Sequence, residues 1–377
     1  MIARTLSSLL LAAAPLCAYF PEDFEAPLET VAFGSCNRDE LPQPLWDEIA
    51  FQLPDLWIWA GDNIYTDWYA GDDRRGGITA AEWAAKRYEA QFNRPDYTAF
   101  REAFPILGTW DDHDYGKNNA GAEYELKTVT EELLLDFLEV PANDPRRERP
   151  GVYGSHVFGP EGKQTKVILI DNRYFATGPG AEEPSLLGEA QRQWLASELT
   201  DSGAELHLIV SGTQVLSQEH RWEKWDQYPE TRQWLLDLIV ERQVPGVIFL
   251  SGDRHFHEIS RLELDGLPYP LIDLTSSGLT HYWESFPGEP NRHRVGEVYA
   301  GLGYGLLRID WEAEPVEVSF EIHSEAEEPE LQLSVPYPEW HLVKLGCRGF
   351  SWVDFPSGSV RSIRALASVT SGCILVF

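Results

Sequence analysis

Residues 247–257 read VIFLSGDRHFH, an apolar run that ends at Gly252 and then delivers Asp253, His255 and His257 within five residues. The run 247–251 is short, apolar and bounded by turn residues, which predicts a buried strand. Just beyond it, an Asp-x-His spacing in extended backbone would put Asp253 and His255 on one face. The arrangement recurs. TVAFG at 30–34 is followed by Ser35-Cys36-Asn37, DLWIWA at 55–60 by Gly61-Asp62-Asn63-Ile64-Tyr65, and the run 105–110 by Asp111-Asp112-His113-Asp114. Four predicted strands thus carry polar groups just past their carboxyl ends, the edge at which open α/β sheets bind ligands.

Further apolar runs at 166–171, 206–211 and 271–275 predict strands, and amphipathic stretches at 42–51, 79–92, 124–138, 188–199 and 229–241 predict helices between them. Segments 303–310 and 316–323 read as an antiparallel finish, the second alternating as V-E-V-S-F-E-I-H. The whole is an α/β sandwich pattern. Long polar loops at 69–77, 141–150, 176–184 and 281–296 are expected to form functional rims.

The first 18 residues combine Arg4, an apolar run and small residues near Ala18, the layout of a secretory signal, which implies a secreted, periplasmic or extracellular protein. No later stretch is long and apolar enough to span a bilayer as a helix, and the tail ALASVTSGCILVF is too short and too close to Arg364 for a strong anchor signal. Of the 377 residues 43% are hydrophobic and 24% charged, which places the chain in the globular class. The net charge of −31 argues against nucleic acid and anionic lipid as partners. An anionic substrate would therefore have to be attracted locally, and bound cations would do this.

The block 111–114 concentrates three carboxylates and an imidazole, which would repel and resist desolvation together unless a cation joined them. A helix cap or turn is the alternative reading. Asp62 follows Gly61, which allows a sharp turn that aims the carboxylate into a site. With the signal removed, Cys36, Cys347 and Cys373 remain, and an odd thiol in an exported protein needs a reason. Cys347 and Cys373 could pair, leaving Cys36, though sequence cannot fix that connectivity. Among 14 tryptophans, Trp46, Trp57, Trp194 and Trp234 sit in periodic apolar stretches, whereas Trp68, Trp222, Trp225 and Trp283 fall in loops and could line a pocket rim.

The blocks FGSCN, GDNIYTD, TWDDHDYGKNNAG, LIDNRYF, FLSGDRHFHEIS and LTSSGLTH occur in order over roughly residues 29–325. Together they resemble the PhoD-like alkaline phosphatase D family of the calcineurin-like metallophosphoesterase superfamily. The resemblance implies a four-layer αββα sandwich, two packed β-sheets flanked by helices, at 29–325, with 326–377 as a C-terminal extension. It implies Asp62 as a carboxylate bridging metals and Cys36 and Tyr65 as ligands of a ferric-type ion. Asp112 stands at an asparagine ligand position, His113 at that of the leaving-group acid, and Asp253 and His255 in the last metal-binding block. Asn63, Asn118, Arg254, His257 and His281 are expected as substrate or supporting contacts. Arg173 would be either a phosphate contact or a structural ion-pair partner, and Lys117 either a phosphate contact or a surface residue.

Thiolate and phenolate ligands favour iron, and carboxylates favour calcium or other divalent cations, so the expected cofactors are iron and calcium. The expected activity is metal-dependent hydrolysis of small-molecule phosphate monoesters by a monomer, with a metal-activated water and His113 and Asp112 as catalytic residues. A phosphodiesterase or phospholipase-like activity on the same metals is the rival enzyme. A secreted protein that holds calcium without catalysis is the rival of another class.

Overall fold

The computed structural model describes residues 25–67 and 76–337, with the backbone of 365–367 and 374–376. The signal segment 1–18, Trp68, Cys347 and Cys373 lie outside the described residues. Contacts divide the chain into Met1–Pro338 and Glu339–Phe377. In the second unit the segments Ala365–Ala367 and Ile374–Val376 pair antiparallel.

The first unit holds two mixed sheets. One contains β1 (Thr30–Gly34), β2 (Leu56–Ala60), β3 (Ile106–Thr109), β11 (Tyr304–Asp310), β12 (Val316–His323) and β13 (Leu331–Tyr337), in the order β13-β12-β11-β1-β2-β3. The other contains β4 (Gly154–Phe158), β5 (Thr165–Leu169), β6 (Leu206–Ser211), β7 (Val247–Ser251), β8 (His257–Leu262), β9 (Leu271–Ser276) and β10 (Arg294–Tyr299), in the order β10-β8-β9-β7-β6-β5-β4. β3 lies against β6 and β11 against β9, so the sheets face one another. Helices α1 (Trp46–Phe51), α2 (Ala80–Phe92), α3 (Pro95–Ala103), α4 (Asp112–Tyr115) and α5 (Lys127–Phe137) belong to the first half, and α6 (Glu189–Leu199) and α7 (Pro229–Arg242) connect strands of the second. This is the two-sheet, helix-flanked sandwich the sequence predicts.

The central strands run parallel, β1-β2-β3 in one sheet and β5-β6-β7-β9 in the other. Every residue of β2, β5, β6, β7 and β9 is buried, as expected where both faces of a parallel sheet are covered. The helical cover on β2 is aromatic: Trp46, Trp57, Trp59, Tyr97, Phe100 and Phe137 pack with ring centroids 5.0–6.1 Å apart. Each such side chain removes ~150–250 Å² from water, worth roughly 4–6 kcal/mol at ~25 cal/mol per Å² before entropy is counted. That packing anchors the strand whose end carries Asp62.

Several elements depart from the sequence reading. The run 42–51 yields a helix only at Trp46–Phe51, and 95–103 forms a helix that starts with proline at its first turn. β13 lies beyond the expected boundary at 325 and pairs with β12, setting Leu331, Leu333 and Val335 opposite Ile322, Phe320 and Val318. β8 begins at His257, so the chain past Gly252 turns before it extends again.

Candidate metal centre

The predicted ligand positions do not continue their strands in extended backbone. Cys36, Asp62, Asp253 and His255 have φ of 59°, 51°, 70° and 55°, in the left-handed region that side chains other than glycine rarely adopt. The premise that Asp253 and His255 share one face of an extended segment is therefore corrected. Two left-handed residues two apart send their side chains into different clusters. Four such residues at one edge amount to stored backbone strain, which persists only where surrounding structure fixes it. The close approach of the two sheets supplies that fixation. A Cβ on Gly252 would stand 2.5 Å from Ser35 Oγ and 2.7 Å from the Ala60 carbonyl.

Three groups of ligand atoms result, each with its atoms within 4.8 Å of one another: Cys36, Asp62 and His255; Asp62, Asp112 and His113; Asp111, Asp112 and Asp253. Asp62 and Asp112 are each shared by two groups. Tyr65 joins the first, its hydroxyl 3.2 Å from Asp62 Oδ2, to which it donates, and 3.2 Å from His255 Nε2. Cys36 Sγ donates to Asp62 Oδ2 at 3.3 Å and lies 3.0 Å from Ser277 Oγ. The His113 ring stacks on Tyr65 with centroids 4.1 Å apart, and its Nδ1 lies 2.7 Å from Asp67 Oδ1. The other Asp67 oxygen accepts the Asn118 backbone N–H at 2.8 Å.

Burial dominates the electrostatics. It pushes the carboxyls of Asp62 and Asp111 well above the usual range, that of Asp253 up to about 6, and the Cys36 thiol and Tyr65 phenol upward as well. Burial also presses His255 down, because an imidazolium is costly there. At Asp112 burial is outweighed by His113, Arg173 and the Asn119 amide, which hold the carboxyl below its usual value. At His113 it is outweighed by Asp112, Asp62 and Asp67, and the imidazole rises to about 12. Asp112 Oδ1 and Asp111 Oδ2 are buried with no hydrogen-bond partner among the described residues. Unpartnered carboxylate oxygens beside a buried thiol and phenol form a donor set that a cation fits, since it would supply the missing counter-charge.

Asp114 is not part of this donor set. Its oxygens accept the backbone N–H groups of Asp111 at 2.7 Å and Asn63 at 3.1 Å, so the helix-cap reading holds for that residue while Asp111 and Asp112 face the groups. Asp111 is instead paired with Arg173, whose Nε donates at 2.7 Å and whose other nitrogens hold Glu223 at 3.0 and 3.1 Å. The Arg173 guanidinium is thus the ion-pair partner of neighbouring carboxylates.

A cleft of about 980 Å³ opens over the groups. Asp112, His113, Asn118, Asp253, Arg254 and His255 line it. Asn63 and His257, expected as substrate contacts, are fully buried and do not line it. Asn63 donates to the Thr109 carbonyl at 3.0 Å, and His257 Nε2 lies 3.2 Å from the Gly301 carbonyl. His281 packs edge-on against Tyr65 and His255, behind the cleft. Lys117 is exposed and outside it. Of the loop tryptophans, Trp222 and Trp283 line the cleft, while Trp225 is buried with its indole N–H on Ser211 Oγ at 2.9 Å. Sequence reasoning missed Asp67, Glu223 and Ser277. Asp67 lies inside the GDNIYTD block, five residues after Asp62, and Ser277 inside the LTSSGLTH block, whereas Glu223 lies in none of the quoted blocks.

Two facing sheets with this cluster at their shared carboxyl edge define a metallophosphoesterase-like α/β sandwich. A solved structure titled as PhoD matches with TM-score 0.64 at 18% identity, covering 84% of this chain and 70% of that one. A purple acid phosphatase from yellow lupin (Lupinus luteus) seeds matches with TM-score 0.54 at 13% identity, covering 91% of this chain and 58% of that one. The family model of the PhoD-like phosphatases matches residues 31–284, and the chain belongs to that family. Alkaline phosphatase D of Bacillus subtilis (strain 168) is 26% identical over 284 residues, 63% of this chain and 48% of that protein. The chain thus spans about half the length of the curated relative it matches. No helix among the described residues is long and apolar enough to cross a membrane.

Proposed function

We propose that the protein is a metal-dependent phosphatase that hydrolyses phosphate monoesters. The observation that carries this reading is the set of three ligand groups linked through Asp62 and Asp112 beneath an open cleft. Cys36, Asp62, Tyr65 and His255 would hold iron, and the carboxylates of Asp112 and Asp253, with Asp62 shared, would hold calcium or another divalent cation. Bound cations supply positive charge to the phosphoryl oxygens and make a water nucleophilic near neutral pH. His113 presents Nε2 towards the cleft while Asp67 fixes Nδ1, so the imidazolium is poised as a general acid. In hydrolysis the water oxygen bonds to phosphorus and gives up one proton to solvent, the phosphorus–ester oxygen bond breaks, and the His113 proton goes to the departing oxygen, after which solvent reprotonates the imidazole. The proposal extends to export as a monomer, with a catalytic domain at 29–325 that β13 completes.

The test is elemental analysis of the purified protein together with hydrolysis of 4-nitrophenyl phosphate, with and without chelator. Full activity in metal-free protein would refute the reading. Turnover of bis-4-nitrophenyl phosphate on the same preparation separates monoesterase from diesterase. A His113→Asn variant that keeps its metal and loses turnover separates catalysis from mere metal storage.

A further inference from the structure

The cleft is much larger than a phosphoryl group requires and falls in the size range of sites that enclose a whole organic ligand. Away from the ligand groups its wall includes two indoles brought together from distant loops. Trp222 follows β6 and Trp283 follows β9, and their rings meet at 5.7 Å and 90°, two sides of a corner. Trp222 is 39% exposed, an unusual cost for so large an apolar ring unless something covers it.

Both loops that carry the rings are tied to the proposed centre. The Trp283 backbone N–H donates to the His255 carbonyl at 2.7 Å. Glu223, next to Trp222, holds Arg173, and the Lys224 ammonium donates to the Trp222 carbonyl at 3.4 Å. Beside the corner stands Arg254, only 4% exposed and lining the cleft. One of its terminal nitrogens pairs with Glu289 at 2.5 Å, but its Nε has no hydrogen-bond partner among the described residues. The Arg254 and Arg221 guanidinium carbons lie 5.9 and 4.6 Å from the Trp222 ring centroid. Indole faces beside guanidinium groups suit a flat π-system with acceptor atoms on its edge.

We propose that this corner seats the leaving alcohol of the ester, and that the alcohol carries a flat aromatic ring with hydrogen-bond acceptors, as nucleosides do. The proposal rests on the phosphatase reading for the word "leaving", but the ring site itself does not need turnover. Aromatic stacking is sequence-tolerant and worth enough per ring to be read in a single variant.

Two arms test it. Calorimetry with adenosine, which has the ring and no phosphate, should show binding by the parent that weakens about tenfold in Trp222→Ala or in Trp283→Ala. No binding at millimolar adenosine, or equal binding by parent and both variants, overturns the proposal whatever the turnover. In the second arm, kcat/KM for adenosine 5′-monophosphate and for 1-naphthyl phosphate is divided by that for glycerol 2-phosphate. Each ratio should fall about tenfold in the variants, equivalent to about 1.4 kcal/mol, and the larger fall tells nucleoside from plain aryl. Unchanged ratios, in variants whose metal content equals that of the parent, overturn it. A parent that turns over none of the three esters defeats the phosphatase reading instead, and adenosine binding then decides the corner.

Discussion

Asp67 touches both His113, the proposed acid, and the loop that frames it, accepting from the His113 ring at 2.7 Å and from the Asn118 backbone at 2.8 Å. It is a positioning residue, so Asp67→Asn should lower kcat by roughly 10–100-fold with metal content unchanged and move the alkaline limb of the pH–rate profile to lower pH. An unmoved profile would leave it a structural role only. His257 is the opposite case, an imidazole read as a substrate contact that is buried and neutral. Burial presses its pKa down to about 4 from the ordinary 6.5. Below pH 6.5 the unfolded chain takes up a proton that the folded imidazole refuses, so this part of the stability is present above 6.5 and is lost as pH falls towards 4. The urea midpoint of His257→Asn should therefore change less between pH 7 and pH 5 than that of the parent. Residues such as Asp62 and Asp253 were legible because a glycine and an apolar run announce them. Asp67 and Ser277 sit inside quoted blocks, but their roles, like that of Glu223, were not legible, since their partners lie on other loops and no local spacing encodes those meetings.

Among the elements, the strands buried on both faces were the easiest to read, for an apolar run between turns has few other uses. Two neighbouring strands were harder. The edge strand β10 reads RVGEVY with no buried residue, and β8, between β10 and β9, starts inside a block that looked like one continuous ligand motif. The short helix α4 shows why residue type alone misleads. Of its acidic cluster Asp114 serves the backbone, while Asp112 keeps one oxygen, Oδ1, without a partner among the described residues. The end of β7 sets a sharper condition. Because a methyl group on Gly252 would meet Ser35 and the Ala60 carbonyl, Gly252→Ala should push this strand end away from β1 and β2. The expected result is a folded protein with far-UV circular dichroism like the parent's and at least tenfold weaker metal binding. Parent-like metal affinity would show that the sheets can give way there.

On the scale of the whole molecule, a surplus of 31 negative charges surrounds a centre whose own carboxyls resist ionisation. Cations that bind only the folded form stabilise it by mass action. Chelation should lower the melting temperature by several degrees, and readdition of the metal should restore it; an unchanged melting curve would mean that the cluster closes without counter-charge. The two-sheet plan was legible from the alternation of apolar and amphipathic stretches, but which strand ends face each other was not, because that depends on packing between sheets. This pairing also fixes an order of events in the making of the protein. The first group needs Cys36, near the start of the domain, and His255, whose N–H is tied to Ser277 Oγ at 2.7 Å, near its far end. A growing polypeptide therefore offers no complete first group until it has been extended past Ser277, and a fragment that stops before Ser277 should bind the proposed ions more weakly than the whole chain.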